Sequence, residues 1–217
     1  MRHPARSWWR AIAVALLIPL TGDPVAVLAQ GAGSPGSPLS AEEEEASLQE
    51  IRDFVQAVAE RYRMVAPLEV SVASWVGPGG LPQYASVPAV YTRGALYLNR
   101  RLLRASNRDL VIAKSLAYEM LRAPSKATTR ADRERERAQL SLDGNARAVD
   151  ILVQVQGLSE EAAVEQMYAW LLAIHRAAGP GRPSPPGSVT ACDEIADLLR
   201  RHAGLRERYA GRECAPA

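Results

Sequence analysis

The stretch that most constrains the fold runs from Asp109 to Arg122, Asp-Leu-Val-Ile-Ala-Lys-Ser-Leu-Ala-Tyr-Glu-Met-Leu-Arg. Leu110, Ala113, Leu116, Ala117, Met120 and Leu121 recur at three- and four-residue steps, which puts them on one broad face of a helix. Ser106 or Asn107 is placed to cap its start, Asp109 lies in the first turn where negative charge is favoured, and Pro124 stops it. A second stretch of the same texture, Gln139–Leu152, reads Gln-Leu-Ser-Leu-Asp-Gly-Asn-Ala-Arg-Ala-Val-Asp-Ile-Leu. Two such helices in one chain must bury their apolar faces against each other or against a sheet.

The framing of the first helix is that of a zinc-peptidase helix carrying His-Glu-x-x-His, in which two imidazoles stand one turn apart. Here the five slots read Lys114-Ser115-Leu116-Ala117-Tyr118. In the second stretch Ser141 and Asn145 fall where a Glu-x-x-x-Asp pattern would stand, with Ala148 at the small position that follows. The Ala89–Leu98 segment resembles the hairpin that borders the substrate cleft in such peptidases. On these residues the chain, from about Leu68 to Arg176, resembles the minimal gluzincin metallopeptidases, the group that includes the CAAX-processing and heat-shock-type membrane peptidases. The resemblance implies a zincin-like α+β fold, a small antiparallel or mixed sheet packed on several helices. It also implies a vestigial cleft at Lys114, Ser115, Tyr118, Ser141 and Asn145, with every ligand slot substituted.

Zinc takes three protein ligands from His, Cys or carboxylate. Beyond the N-terminal segment the histidines are His175 and His202, neither with a second histidine at metal spacing. The expected reading is therefore a non-enzyme with no catalytic residue, no metal and no cofactor. Lys114 would place a cation where a zinc charge sits, and Tyr118, Ser141 and Asn145 would satisfy one another by hydrogen bonds. A metal-free hydrolase with Ser141 as nucleophile and Lys114 as base is the enzymatic alternative. Phosphate-binding glycine loops, Gly-x-Ser-x-Gly and a Cys/His nucleophile pair are absent from the sequence.

Residues 1–29 read as a secretory signal peptide: Arg2, Arg6 and Arg10, then the apolar run Ala11–Leu20, then Val27-Leu28-Ala29 before Gln30. Ten apolar residues are too few to span a bilayer core of ~30 Å, so no integral span is expected after cleavage. An uncleaved N-terminal anchor is the other reading. Removing three arginines and Asp23 from 26 basic and 24 acidic residues leaves 23 of each. The remaining chain is neutral, which gives no basis for nucleic-acid binding. Arginine outnumbers lysine so far that only Lys114 and Lys126 are lysine, a bias of GC-rich bacterial genomes that makes Lys114 distinctive.

Cys192 and Cys214 enclose 21 residues and, in an exported chain, read as one structural disulfide contributing about 3 kcal/mol. The expected organisation is a flexible Gly/Ser/Pro leader over 30–39, a zincin-like domain over 40–178, a proline-rich linker over 179–188, and a C-terminal helix with a disulfide-tethered tail over 189–217. Within the domain, Ser40-x-x-Glu43 is a capping box, strands fall at Leu68–Val76, Ala89–Thr92 and Ala95–Asn99, and helices end near Met64, Gln156 and Ala177. The functional expectation is a secreted or periplasmic, catalytically inactive binding or scaffold module. Its partner would be a protein or peptide, added as a strand along the Ala95–Leu98 edge. An envelope interaction protein that docks through its helical surfaces is the competing class.

Overall fold

The structure is a computed structural model that describes residues 39–64, 69–72, 89–92, 95–178 and 189–214. The signal-peptide and leader readings over 1–38 lie outside these residues. So do residues 77–80, 83–86 and 93–94, where glycines and short polar runs read as turns or a short strand in the sequence, and the proline-rich linker reading over 179–188.

Ser40 opens α1 (Ala41–Tyr62) with a complete capping box: its Oγ accepts from the Glu43 N–H at 3.2 Å, and the Glu43 carboxylate accepts from the Ser40 N–H at 2.8 Å. The stripe Leu48, Ile51, Phe54, Val55, Val58 is buried as the periodicity requires. Three short strands follow, β1 (Glu69–Val72), β2 (Ala89–Thr92) and β3 (Ala95–Leu98). Their order is β1-β3-β2, with β3 parallel to β1 and antiparallel to β2. The sheet is therefore mixed. It also corrects an expectation: Ala95–Leu98 is the central strand, not an edge. Both of its sides are already hydrogen-bonded, and Ala95, Leu96 and Leu98 are all buried, so strand addition there is blocked.

A 3₁₀ turn (Arg100–Arg104) leads into α2 (Arg108–Leu121). Asn107 occupies the N-cap position, but its backbone (φ −102°, ψ 19°) is not extended and its side chain makes no capping bond. The helix start is held instead by Arg108, which donates to Asp109 (2.8 Å), Glu50 (3.0 Å) and Ser47 (3.2 Å) and so ties α2 to α1. Thr129 and Asp132 form a second capping box at the start of α3 (Arg130–Gln156), which Gly157 ends in the left-handed region at φ 70°. α2 lies along α3, the most extensive packing of any two elements. The shared core includes Ile112, Leu116, Ile151 and Leu152, all fully buried. On the outer side, the Tyr62 hydroxyl donates to Asp150 at 2.8 Å and clamps α1 to α3; burial and then the Asp150 carboxylate push its pKa up to about 12.

α4 (Glu160–Ala178) and α5 (Ala191–Arg201) complete the helical layer. Thr190 and Asp193 cap α5, and Ile195, Leu198 and Leu199 are buried. A further 3₁₀ turn (Ala203–Leu205) and the short α6 (Arg206–Tyr209) follow. This tail is not simply polar and tethered by its cysteine. Tyr209 is 1% exposed, lies 4.9 Å from the Tyr168 ring, and donates to Glu165 at 2.6 Å. Cys192 and Cys214 form a disulfide-bonded pair with Cα atoms 4.8 Å apart. Among the described residues no helix is long and apolar enough to cross a membrane.

Ile151 of α3 is fully buried in the core. Ile151→Ala leaves a void there and is expected to cost about 2–5 kcal/mol. The exposed Arg137→Ala should stay within about 0.5 kcal/mol of the parent. Urea melts of the two variants measure the difference.

Candidate functional site

Helical spacing places Lys114 and Tyr118 one turn apart on α2, and Ser141 and Asn145 one turn apart on α3. Three of these four side chains converge, and they meet on a residue that the sequence reading did not single out, Glu194 in the first turn of α5. Lys114 Nζ lies 3.3 Å from Glu194 Oε2, Asn145 Nδ2 donates to the same oxygen at 2.8 Å, and Ser141 Oγ donates to Oε1 at 2.6 Å. The Trp170 ring of α4 covers the lysine, with Nζ 4.5 Å from its centroid. One carboxylate therefore joins α2, α3 and α5 under an indole from α4. The Lys114 and Glu194 side chains retain only 21% and 13% of their exposure.

The expected mutual hydrogen bonding of Tyr118, Ser141 and Asn145 is not what forms. Ser141 and Asn145 both donate to Glu194. Tyr118 is half-buried one turn further along α2 and takes no part. Ser115, also assigned to the cleft, turns away from it: its hydroxyl donates to Val111 O at 3.0 Å and reaches Ala89 O at 3.5 Å, facing β2. The reason is geometric. Ser115 is one residue, about 100° of helix, beyond Lys114, and a short hydroxyl in a helix is readily captured by the carbonyl four residues back.

Burial raises the Glu194 pKa, but the Lys114 charge, then the bonds from Ser141, Asn145 and Lys114, more than offset it. The carboxyl ends below its ordinary value. It is thus an anion held by three donors, a weak base toward the Ser141 hydroxyl. The contact of Lys114 Nζ is to Glu194 Oε2, so the ammonium faces the carboxylate and not the Ser141 hydroxyl. The Ser141–Lys114 dyad lacks its central contact: Ser141 donates to Glu194 instead.

The arrangement does not suit zinc. An ammonium, a hydroxyl and a carboxamide surround a single carboxylate whose two oxygens already accept three bonds, and a dication would compete with Lys114 for that carboxylate. The polarity is the reverse of a metal centre, with an anion in the middle and donors around it. The Asn145 carbonyl oxygen, in a residue 2% exposed, has no hydrogen-bond partner, as expected of an amide whose nitrogen end has been fixed by a charged acceptor.

Glu194 was legible in one respect. It sits four residues before Leu198 and beside Ile195, so it falls on the apolar stripe of α5 rather than on its polar face. Asp193 already supplies the cap, and a second acid on the buried face requires a partner. The other acids near the second motif are used at the surface: Asp143 accepts from Arg201 at 2.7 Å and Asp150 from Tyr62. His202 pairs with Glu160, whereas His175 lies beside the cysteine pair, its Nδ1 3.4 Å from Cys192 Sγ. Comparison of the chain with protein-family models, with curated proteins and with solved structures gives no match.

Removing the acceptor strands its donors. Glu194→Ala leaves a half-buried ammonium and a buried amide without their common partner, an expected loss of about 3–5 kcal/mol in chemical denaturation. Because the folded pKa is depressed, the carboxylate's contribution is fully present above the ordinary glutamate pKa and is lost as pH falls through the lower, folded value. Melts of the parent and of Glu194→Gln across that acid window should converge as pH falls, the parent losing stability more steeply. Parallel curves would show that Glu194 does not titrate this way.

Proposed function

We propose that this protein is an exported, catalytically inactive relative of the gluzincin peptidases, a scaffold or binding module of the bacterial envelope. In this reading its former metal site has been rebuilt as an ionic core. The single observation that carries it is the convergence of Lys114, Ser141 and Asn145, three of the five residues in the substituted motif slots, on one carboxylate. Three supports accompany it: the two helix frames pack side by side, a small mixed sheet lies against α2, and these three slots meet on α5. A zinc ion in a peptidase cross-links its two motif helices; here Glu194 does the same with opposite charge. The bonded cysteine pair is compatible with an oxidising compartment.

Filling the cleft from within moves any partner elsewhere. A second reading, an envelope interaction protein docking through its helical surfaces, is favoured by an open groove of about 510 Å³ between α4 and the tail. Glu165, Tyr168, Leu172, Arg176, Arg212 and Glu213 line it. Its arginines and glutamates bracket aromatic and aliphatic surface, a lining suited to a peptide or protein segment of mixed charge.

The test of the leading reading uses the oxidised protein. Incubated with zinc and a mixture of unstructured peptides, it is expected to hydrolyse none above the buffer rate. Lys114→Met and Ser141→Ala should leave that baseline unchanged while lowering the melting temperature. Zinc-dependent cleavage that either substitution abolishes overturns the inactive reading.

A further inference from the structure

Outside the Glu194 cluster, the described residues contain one grouping of soft and borderline metal donors: His175 on α4, Cys192 in the first turn of α5, and Cys214 in the tail. Their ligand atoms all lie within 4.8 Å of one another, and each residue is partly exposed. We propose that this cluster is a redox-gated metal site: with the Cys192–Cys214 bridge opened by a thiol reductant, the two thiolates and the His175 imidazole bind one zinc ion, and re-oxidation releases it. The inference is independent of the peptidase-like reading.

The imidazole is already placed for the task. In a tetrahedral site with Zn–S of about 2.3 Å and Zn–N of about 2.0 Å, a nitrogen and a sulfur ligand stand about 3.5 Å apart. His175 Nδ1 stands 3.4 Å from Cys192 Sγ. The ring's other nitrogen, Nε2, faces Glu213 Oε1 at 3.6 Å. A carboxylate on the distal side of the ring is the kind of neighbour that orients a histidine once Nδ1 is bound to a metal. Glu213 is itself held by Arg176, whose Nε and Nη2 donate to Oε2 at 3.0 and 2.8 Å.

Opening the bridge does not scatter the donors. The backbone next to Cys214 is fixed by the Tyr168 hydroxyl, which donates to Glu213 O at 2.9 Å. Arg212 lies over the Tyr209 ring at 4.6 Å and donates to Glu165 at 3.1 and 3.2 Å. Cys192 is carried by α5, whose Ile195, Leu198 and Leu199 are buried and whose capping box is local. The sulfurs need only separate to the edge of a coordination tetrahedron. Three protein ligands leave the fourth position to water or another small donor.

The chemistry balances. A dithiol delivers two electrons and two protons to the bridge, becoming a disulfide itself and leaving Cys192 and Cys214 as thiols. Zinc then binds the two thiolates and releases both protons. Oxidation of the bound pair re-forms the S–S bond, hands two electrons to the oxidant and frees the metal.

Cobalt(II) is the probe, since tetrahedral cobalt thiolates absorb where zinc does not. The purified protein is titrated before and after anaerobic reduction with a phosphine, with circular dichroism followed throughout. The reduced protein is expected to take one equivalent, showing thiolate-to-cobalt charge transfer that zinc displaces, and the oxidised protein none. His175→Ala and Cys192→Ser should each lose these bands, and Glu213→Gln should weaken binding roughly tenfold. The proposal is overturned if reduced protein that keeps its helical signal gives no such bands, if the oxidised form binds equally, or if His175→Ala changes nothing. Reduction that unfolds the chain, with zinc failing to restore its helicity, overturns it as well.

Discussion

The structure depends on one carboxylate shared among its helices. The Glu194 carboxylate is shared by an ammonium from α2, a hydroxyl and an amide from α3, and it is delivered by α5. An isolated carboxylate at that depth is costly, and the cost is offset only when all donors arrive together. Apolar packing brings the helices side by side without dictating their rotation or register. A carboxylate that must receive three directed bonds does dictate them, which is how a polar cluster adds specificity to a core that hydrophobic contacts stabilise.

The same logic extends outward from that point. α5 reaches the cluster because its apolar stripe docks on α3 and α4 and because the cysteine pair joins its first turn to the tail. The tail is held in turn by aromatic and ionic contacts to α4, with Tyr209 buried against Tyr168 and Glu165 receiving both Tyr209 and Arg212. The polar centre of the helical layer and the chain terminus are thus mechanically connected through a single eleven-residue helix.

Much of the local structure was legible beforehand because it rests on neighbours in sequence. The capping boxes at Ser40 and the helix stop at Gly157 follow from residues three or four apart, and the buried stripes of α1, α2 and α5 follow from the 3.6-residue period. The helix-rich make-up with one small sheet and the antiparallel β2–β3 pair belong to the same class. Less legible was which strand lies in the middle, because that depends on where β1 returns, a pairing across more than twenty residues of sequence. Asn107 shows the converse: a good capping residue in the right place whose backbone is not extended and whose side chain makes no cap bond, while Arg108 ties the helix start to α1.

The candidate site divides in the same way. From sequence alone came the set Lys114, Ser115, Tyr118, Ser141 and Asn145, of which only Lys114, Ser141 and Asn145 meet in the fold. The tertiary structure alone decided what they bind: Glu194 lies 49 or more residues away in sequence, and no local pattern links it to α2 or α3. It likewise decided that Ser115 faces the sheet and that His175 stands beside Cys192. Spacing along a helix determines which side chains share a face, because backbone geometry is local. What that face meets is set by how distant segments pack, and only there do charge, donor and acceptor find their complements.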